Sequence, residues 1–140
     1  MAEYLQSCAG DPRSAVQKIY YPSINPSGVY YRQFMRPDMA EFSPGYGCLL
    51  SVEFDDLPAA AAFYNRLNLD KGPHLGAPST LVLAYIMCAY KKRLHWAAQY
   101  GLKPTQIRIS AGLEETDLLI DELRLAVEEA DIRVEVNQGT

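Results

Sequence analysis

The spacing of apolar and polar positions changes period several times along the chain, and each change marks an element. Gly47–Phe54 is the clearest strand: Cys48, Leu50, Val52 and Phe54 share one face, and Leu49, Ser51 and Glu53 the other. Thr105–Ala111 alternates in the same way, with Ile107, Ile109 and Ala111 set against Gln106, Arg108 and Ser110. Val16–Tyr21, β-branched and aromatic and stopped by Pro22, reads as another strand. After Asp55 or Asp56, either of which would cap a helix with Pro58 in its first turn, the Ala-rich run Ala59–Leu67 predicts a helix. Thr116 is a fair N-cap for a long amphipathic helix carrying the stripe Leu119, Leu123, Ala126, Val127 and Ala130.

Other stretches are less sharply written. Residues 2–8 predict a helix end closed by Gly10 and Pro12, and Lys91–Tyr100 a helix ending at Gly101 as its C′ residue. Pro22–Pro44 carries four prolines and reads as a loop with one short helix around Val29–Met35. The glycines and prolines of Asp70–Pro78 predict a second loop. Thr80–Met87 is apolar throughout, so its period does not separate a buried strand from a buried helix. Ile132–Val136 reads as a terminal strand. The whole predicts an α+β fold, a small layered domain over residues 1–140 with a mainly antiparallel sheet and helices on one face. The other face, with Leu49, Ser51, Glu53, Gln106, Arg108 and Ser110, is expected to meet solvent or a partner.

Composition narrows the function. Of 140 residues, 49% are apolar and 21% charged, which excludes a disordered tail, a collagen-like repeat and a disulfide scaffold. Thirteen Lys and Arg against seventeen Asp and Glu give a net charge of −4, without the basic footprint of a nucleic-acid binder. Lys91-Lys92-Arg93 reads as the solvated face of a helix. Cys8, Cys48 and Cys88 are odd in number and form no CxxC pair, and His74 and His95 lie outside any cluster with ligand spacing, so neither disulfides nor a metal are expected. There is no signal-peptide pattern, and Leu81–Tyr90 is too short against the ~20 residues of a membrane helix, so a soluble, cytoplasmic chain in a reducing compartment is expected. The tyrosines at 20, 21, 30 and 31 read as packing, His95 and Trp96 as packing and surface, and Glu114-Glu115 as charges favouring a helix N-terminus.

Four segments share a pattern with known proteins. They are Val16–Pro22; Gly45–Phe54; Gly72-Pro73-His74-Leu75-Gly76 with Gln99-Tyr100-Gly101-Leu102; and, most specific, Ile107-Arg108-Ile109-Ser110-Ala111-Gly112-Leu113-Glu114-Glu115. In this order they resemble the C-terminal domain of the Cys/Met-metabolism (trans-sulfuration) enzymes that use pyridoxal phosphate, most of all the fungal-type cystathionine γ-synthases. The resemblance implies the C-terminal-domain fold of fold-type I pyridoxal-phosphate enzymes. It also implies a role in methionine and cysteine metabolism, in a transferase joining cysteine to an activated homoserine. Sister γ-lyases and O-acetylhomoserine sulfhydrylases use the same domain.

In that family the cofactor is held by a large domain preceding this one, through a lysine that follows Ser or Thr. The lysines here, Lys18, Lys71, Lys91, Lys92 and Lys103, follow Gln, Asp, Tyr, Lys and Leu. The expectation is therefore a substrate-side domain without its catalytic large domain, inactive alone, which partners that domain and a further copy of itself. A free-standing interaction module that kept the fold is the alternative.

By resemblance Arg108 is the arginine that grips the substrate carboxylate with a bidentate fork. The alternation alone favours a surface strand arginine paired with a nearby Glu, and the resemblance reverses that order. His74, Leu75 and Ser79 fall in the family's Ser-Leu-Gly substrate loop. His74 stands where the family has Ser and Ser79 where many relatives have Glu, so a backbone role carries over more readily than side-chain ones. His74 by itself reads first as a plain loop residue.

Overall fold

A computed structural model describes the backbone of residues 1–138 and the side chains of residues 1–132. Five strands form one sheet: β1 (Val16–Tyr20), β2 (Leu49–Phe54), β3 (Asp70–Lys71), β4 (Leu81–Leu83) and β5 (Gln106–Ser110). Their order is β1-β2-β5-β4-β3, antiparallel throughout except for the short parallel pair β3–β4. The helices are α1 (Ala2–Ala9), α2 (Gly28–Gln33), α3 (Leu57–Arg66), α4 (Tyr85–Ala89), α5 (Leu94–Ala98) and α6 (Thr116–Gln138). The predicted α+β class and mainly antiparallel sheet are what the chain forms.

Register makes the two sheet faces unlike. Leu50 pairs with Ile109 and Val52 with Ile107, so the apolar positions of β2 and β5 coincide, and Val82 of β4 joins them opposite Ile109. On β1 the register slips between Val16 and Lys18. That bulge turns both Val16 and Ile19 inward, although they are three positions apart, where a regular strand would send them to opposite faces. This apolar face is covered by Leu5 of α1, Ala59, Ala60 and Phe63 of α3, and Leu123, Ala126, Val127 and Ala130 of α6. The small alanines let α3 and α6 approach closely, and Phe63, fully buried, lies 4.7 Å from the Phe54 ring. A side chain of that size contributes roughly 1.5–3 kcal/mol by burial. α3 starts where the sequence places its cap, with Ala59 N–H donating to Asp56 Oδ1 at 2.8 Å and Pro58 in the first turn.

Several predicted boundaries move. Thr80–Met87 is neither one strand nor one helix; it divides into β4 and the start of α4. Lys91–Tyr100 is a 3₁₀ turn, Lys91–Arg93, followed by the short α5. Its C-terminal signal acts as predicted: Gly101, at φ +72°, donates to Ala98 O, and Leu102 N–H reaches Ala97 O. Cys48 lies outside β2 and is exposed, so it does not join the face of Leu50. Ile132–Val136 is not a strand but a continuation of α6. No Gly or Pro interrupts residues 117–138, and a helix already anchored through Ala130 extends across β-branched residues in preference to stopping.

Candidate functional site

The second sheet face is polar, and it is more covered than the alternation predicts. Glu53, Gln106 and Ser110 are all buried there. Glu53 accepts from Tyr20 Oη at 2.8 Å and from Gln106 Nε2 at 3.3 Å, and forms an ion pair with Lys103. Burial on its own raises the Glu53 pKa, but the bonds from Lys103, Tyr20 and Gln106 outweigh it and hold the carboxyl below its ordinary value.

Arg108 stands on the same face, opposite Ser51 of β2 and Leu83 of β4. Arg108 as a residue is half-buried, and its guanidinium is fixed from two sides. The Cζ atom sits 4.8 Å from the centre of the Tyr85 ring, and Nη2 donates to Pro73 O at 2.8 Å. That uses one of the five N–H donors of a guanidinium. No carboxylate among the described residues pairs with it. Glu53, on the same face, is engaged in the cluster above, and Glu114, beyond the end of β5, on Thr80.

The loop between β3 and β4 lies along this edge. Pro73 meets Arg108, and Gly76 N–H donates to Ser110 Oγ at 3.1 Å, two residues further along β5. His74 and Leu75 lie between these two pins and both are exposed, Leu75 to 55%. Gly76 takes φ +71°, a conformation open to glycine and costly to most other residues. Ser79 is half-buried further along, just before the buried Thr80. Of the residues singled out from the sequence, Arg108 and the 74–75 segment therefore come together, and Ser79 belongs to the far end of the same loop.

Four contributors are not site candidates from the sequence. Ser110 is placed on the Arg108 face by strand parity, but nothing there gives it a role. Tyr85 lies in a segment whose period was silent. Thr80 and Glu114 meet only through tertiary structure: Thr80 N–H donates to Glu114 Oε1 at 2.6 Å and Thr80 Oγ1 to Glu114 Oε2 at 2.8 Å. Glu114 thus serves the loop and not merely the start of α6. Among the described residues no cluster of three or more His, Cys, Asp or Glu is placed to hold a metal ion, and no helix is long and apolar enough to cross a membrane.

No protein-family model matches the chain. A cystathionine gamma-synthase of Neurospora crassa is 40% identical over 116 residues, covering 83% of this chain and 18% of that protein. A cystathionine gamma-synthase of Saccharomyces cerevisiae is 37% identical over 114 residues, covering 81% and 18%. Among solved structures, a cystathionine gamma-lyase from Lactobacillus plantarum, complexed with L-serine, superposes with a TM-score of 0.71 at 25% identity, over 92% of this chain and 32% of that one. The chain spans less than a fifth of the length of these two curated relatives. Fold, motif order and these identities agree: the chain belongs to the cystathionine γ-synthase family of trans-sulfuration enzymes, as a C-terminal domain of that family.

Proposed function

We propose that this chain is the substrate-side domain of a pyridoxal-phosphate enzyme of the cystathionine γ-synthase type, and that Arg108 binds the α-carboxylate of the amino-acid substrate. The observation that carries this reading is a guanidinium held from two sides, by Tyr85 and Pro73 O, and left without a carboxylate partner among the described residues. A planar fork so oriented suits a carboxylate, each charge-assisted hydrogen bond contributing roughly 1.5–3 kcal/mol. The guanidinium carries fixed charge and moves no proton. His74 and Leu75 would contribute mainly through backbone, since the pins at Pro73 and Gly76 set the path of the chain between them. Ser79, at the far end of the loop, would border the site.

Pyridoxal phosphate, which supplies an electron sink for chemistry at the substrate carbons, belongs in this reading to a large domain outside the chain. The chain's own lysines do not fit it. None follows Ser or Thr, Lys71 donates to Tyr64 O and Leu67 O, and Lys103 pairs with Glu53. The domain alone is therefore inactive, and its substrates, an activated homoserine and cysteine, react only in the complete enzyme. The exposed side chains Tyr30, Tyr31, Phe34 and Leu49 are the surface on which the large domain or a second copy would pack. Three thiols without disulfides suit a reducing compartment such as the cytoplasm.

Two assays test the reading together. The chain mixed with pyridoxal phosphate, L-cysteine and an acylated homoserine should form no cystathionine. The same chain replacing the matching segment of the Neurospora crassa enzyme should support its formation. Turnover by the chain alone, or a folded chimera without turnover, would sink the proposal.

A further inference from the structure

We propose that Glu114 is a positioning residue for the Arg108 site, holding the 73–80 loop at the height where its backbone meets the guanidinium. This inference rests on reading Arg108 as the carboxylate-binding arginine. The loop is fastened at four points that follow one another along the β5–α6 segment. Pro73 O meets Arg108, Gly76 N–H meets Ser110, Pro78 O accepts from Leu113 N–H at 2.8 Å, and Thr80 meets Glu114.

The last point is the strongest. Both carboxylate oxygens of Glu114 are used on Thr80, the one buried residue of the 73–80 loop, whose hydroxyl also accepts from Gly112 N–H at 2.8 Å. A hydroxyl has a single proton, so accepting from Gly112 and donating to Glu114 fixes its direction. The chain from Gly112 N–H through the Thr80 hydroxyl to the carboxylate therefore closes in one sense only. Glycine at 112 is required by the same packing. A Cβ there would stand 2.5 Å from Pro78 O and 2.5 Å from the carbonyl carbon of Ser79. The turn and the loop consequently share a surface with no slack, and a shift of Thr80 is passed back toward Gly76 and Pro73. The Thr80 N–H also holds the Glu114 carboxyl below its ordinary pKa, so the acceptor stays charged near neutrality.

The test uses the isotope-labelled full chain in five forms: wild type, Glu114→Gln, Thr80→Val, Thr80→Ser and Arg108→Ala. Amide exchange at Gly76, whose N–H is held by Ser110, reports the loop, the Arg108 Nε–H resonance reports the guanidinium, and amides of β2 and β5 report the fold. Titration with L-serine, against L-serinamide as the probe lacking a carboxylate, reports binding. Glu114→Gln and Thr80→Val should speed loop exchange about tenfold, move the Arg108 resonance and weaken L-serine by about tenfold, the loss of one charge-assisted bond. Thr80→Ser, which keeps the hydroxyl, should behave as wild type.

Wild-type loop exchange in Glu114→Gln, or Thr80→Ser as impaired as Thr80→Val, would overturn the clasp. A looser loop with unchanged L-serine affinity would overturn its role in positioning. A wild-type L-serine response that survives in Arg108→Ala, or no response in the wild type, would instead overturn the carboxylate reading, and the positioning role with it. Where Glu114→Gln loses the β2 and β5 amides, Glu114→Asp, with its charge kept and its reach shortened by one carbon, decides by the same readouts.

Discussion

Replacing Glu53 with alanine removes the acceptor at the centre of the covered polar face. The carboxylate side chain is 4% exposed and has three donors, Tyr20, Gln106 and Lys103. After the substitution Lys103, 61% exposed, returns to water at little cost, and Tyr20 is half-buried and partly rehydrates. Gln106 does neither, since it is 8% exposed and its amide would be left buried with an unsatisfied donor, at roughly 1–3 kcal/mol. Breaking a fully buried ion pair costs about 3–5 kcal/mol, and discounting for the exposed lysine brings the expected loss to about 2–4 kcal/mol. For a chain of this size that is a fall of roughly 6–12 °C in Tm at neutral pH. The sign of the pH dependence follows from the direction of the shift. A carboxyl held below its ordinary value stabilises the fold above that value and loses the contribution as pH falls through the folded pKa. Thermal unfolding followed by circular dichroism, wild type beside Glu53→Ala from neutral pH into acid, should show a gap that narrows below about pH 4.5. A Tm within about 2 °C of wild type at neutral pH, or a gap unchanged in acid, would refute the reasoning.

Three further outcomes are expected. Leu123→Ala, at a fully buried position of α6, should cost about 2–5 kcal/mol in urea unfolding, with little change in the slope. Asp56→Ala should remove the α3 cap on Ala59 N–H and cost about 1 kcal/mol, whereas Asp56→Asn should retain most of it. Sedimentation of the chain at rising concentration should show self-association through the exposed aromatic surface, and Phe34→Ser, at a side chain 88% exposed, should weaken it without lowering the Tm.

Much of the fold was legible because its strands are one-sided. The alternation in Gly47–Phe54 and Thr105–Ala111 is the register later formed by Leu50 with Ile109 and Val52 with Ile107. The α6 stripe likewise names the residues that are buried. What was not legible depends on partners distant in sequence. The bulge on β1 leaves no mark in its residue types, and the burial of Glu53 depends on Lys103, Tyr20 and Gln106 converging from separate segments. Ile132–Val136 was misread because β-branched residues lower helix propensity only slightly, and no breaker precedes them. At the site, parity gave Arg108 its face, and the family pattern gave it a role to test. Tyr85 and the Glu114–Thr80 pair needed the fold.

The measurement that bears most directly on the central claim is kcat/KM for Arg108→Ala in the complete enzyme carrying this domain, taken beside its Tm. Loss of a two-bond fork to a carboxylate should lower kcat/KM by about tenfold to a thousandfold, mostly through substrate binding. Arg108→Lys should recover little of it, because an ammonium does not reproduce the fork. The Tm should scarcely move, since Arg108 lies on the sheet face away from the Ile107 and Ile109 core. Activity within a few-fold of wild type together with a lowered Tm would contradict the claim and make Arg108 a structural residue of β5.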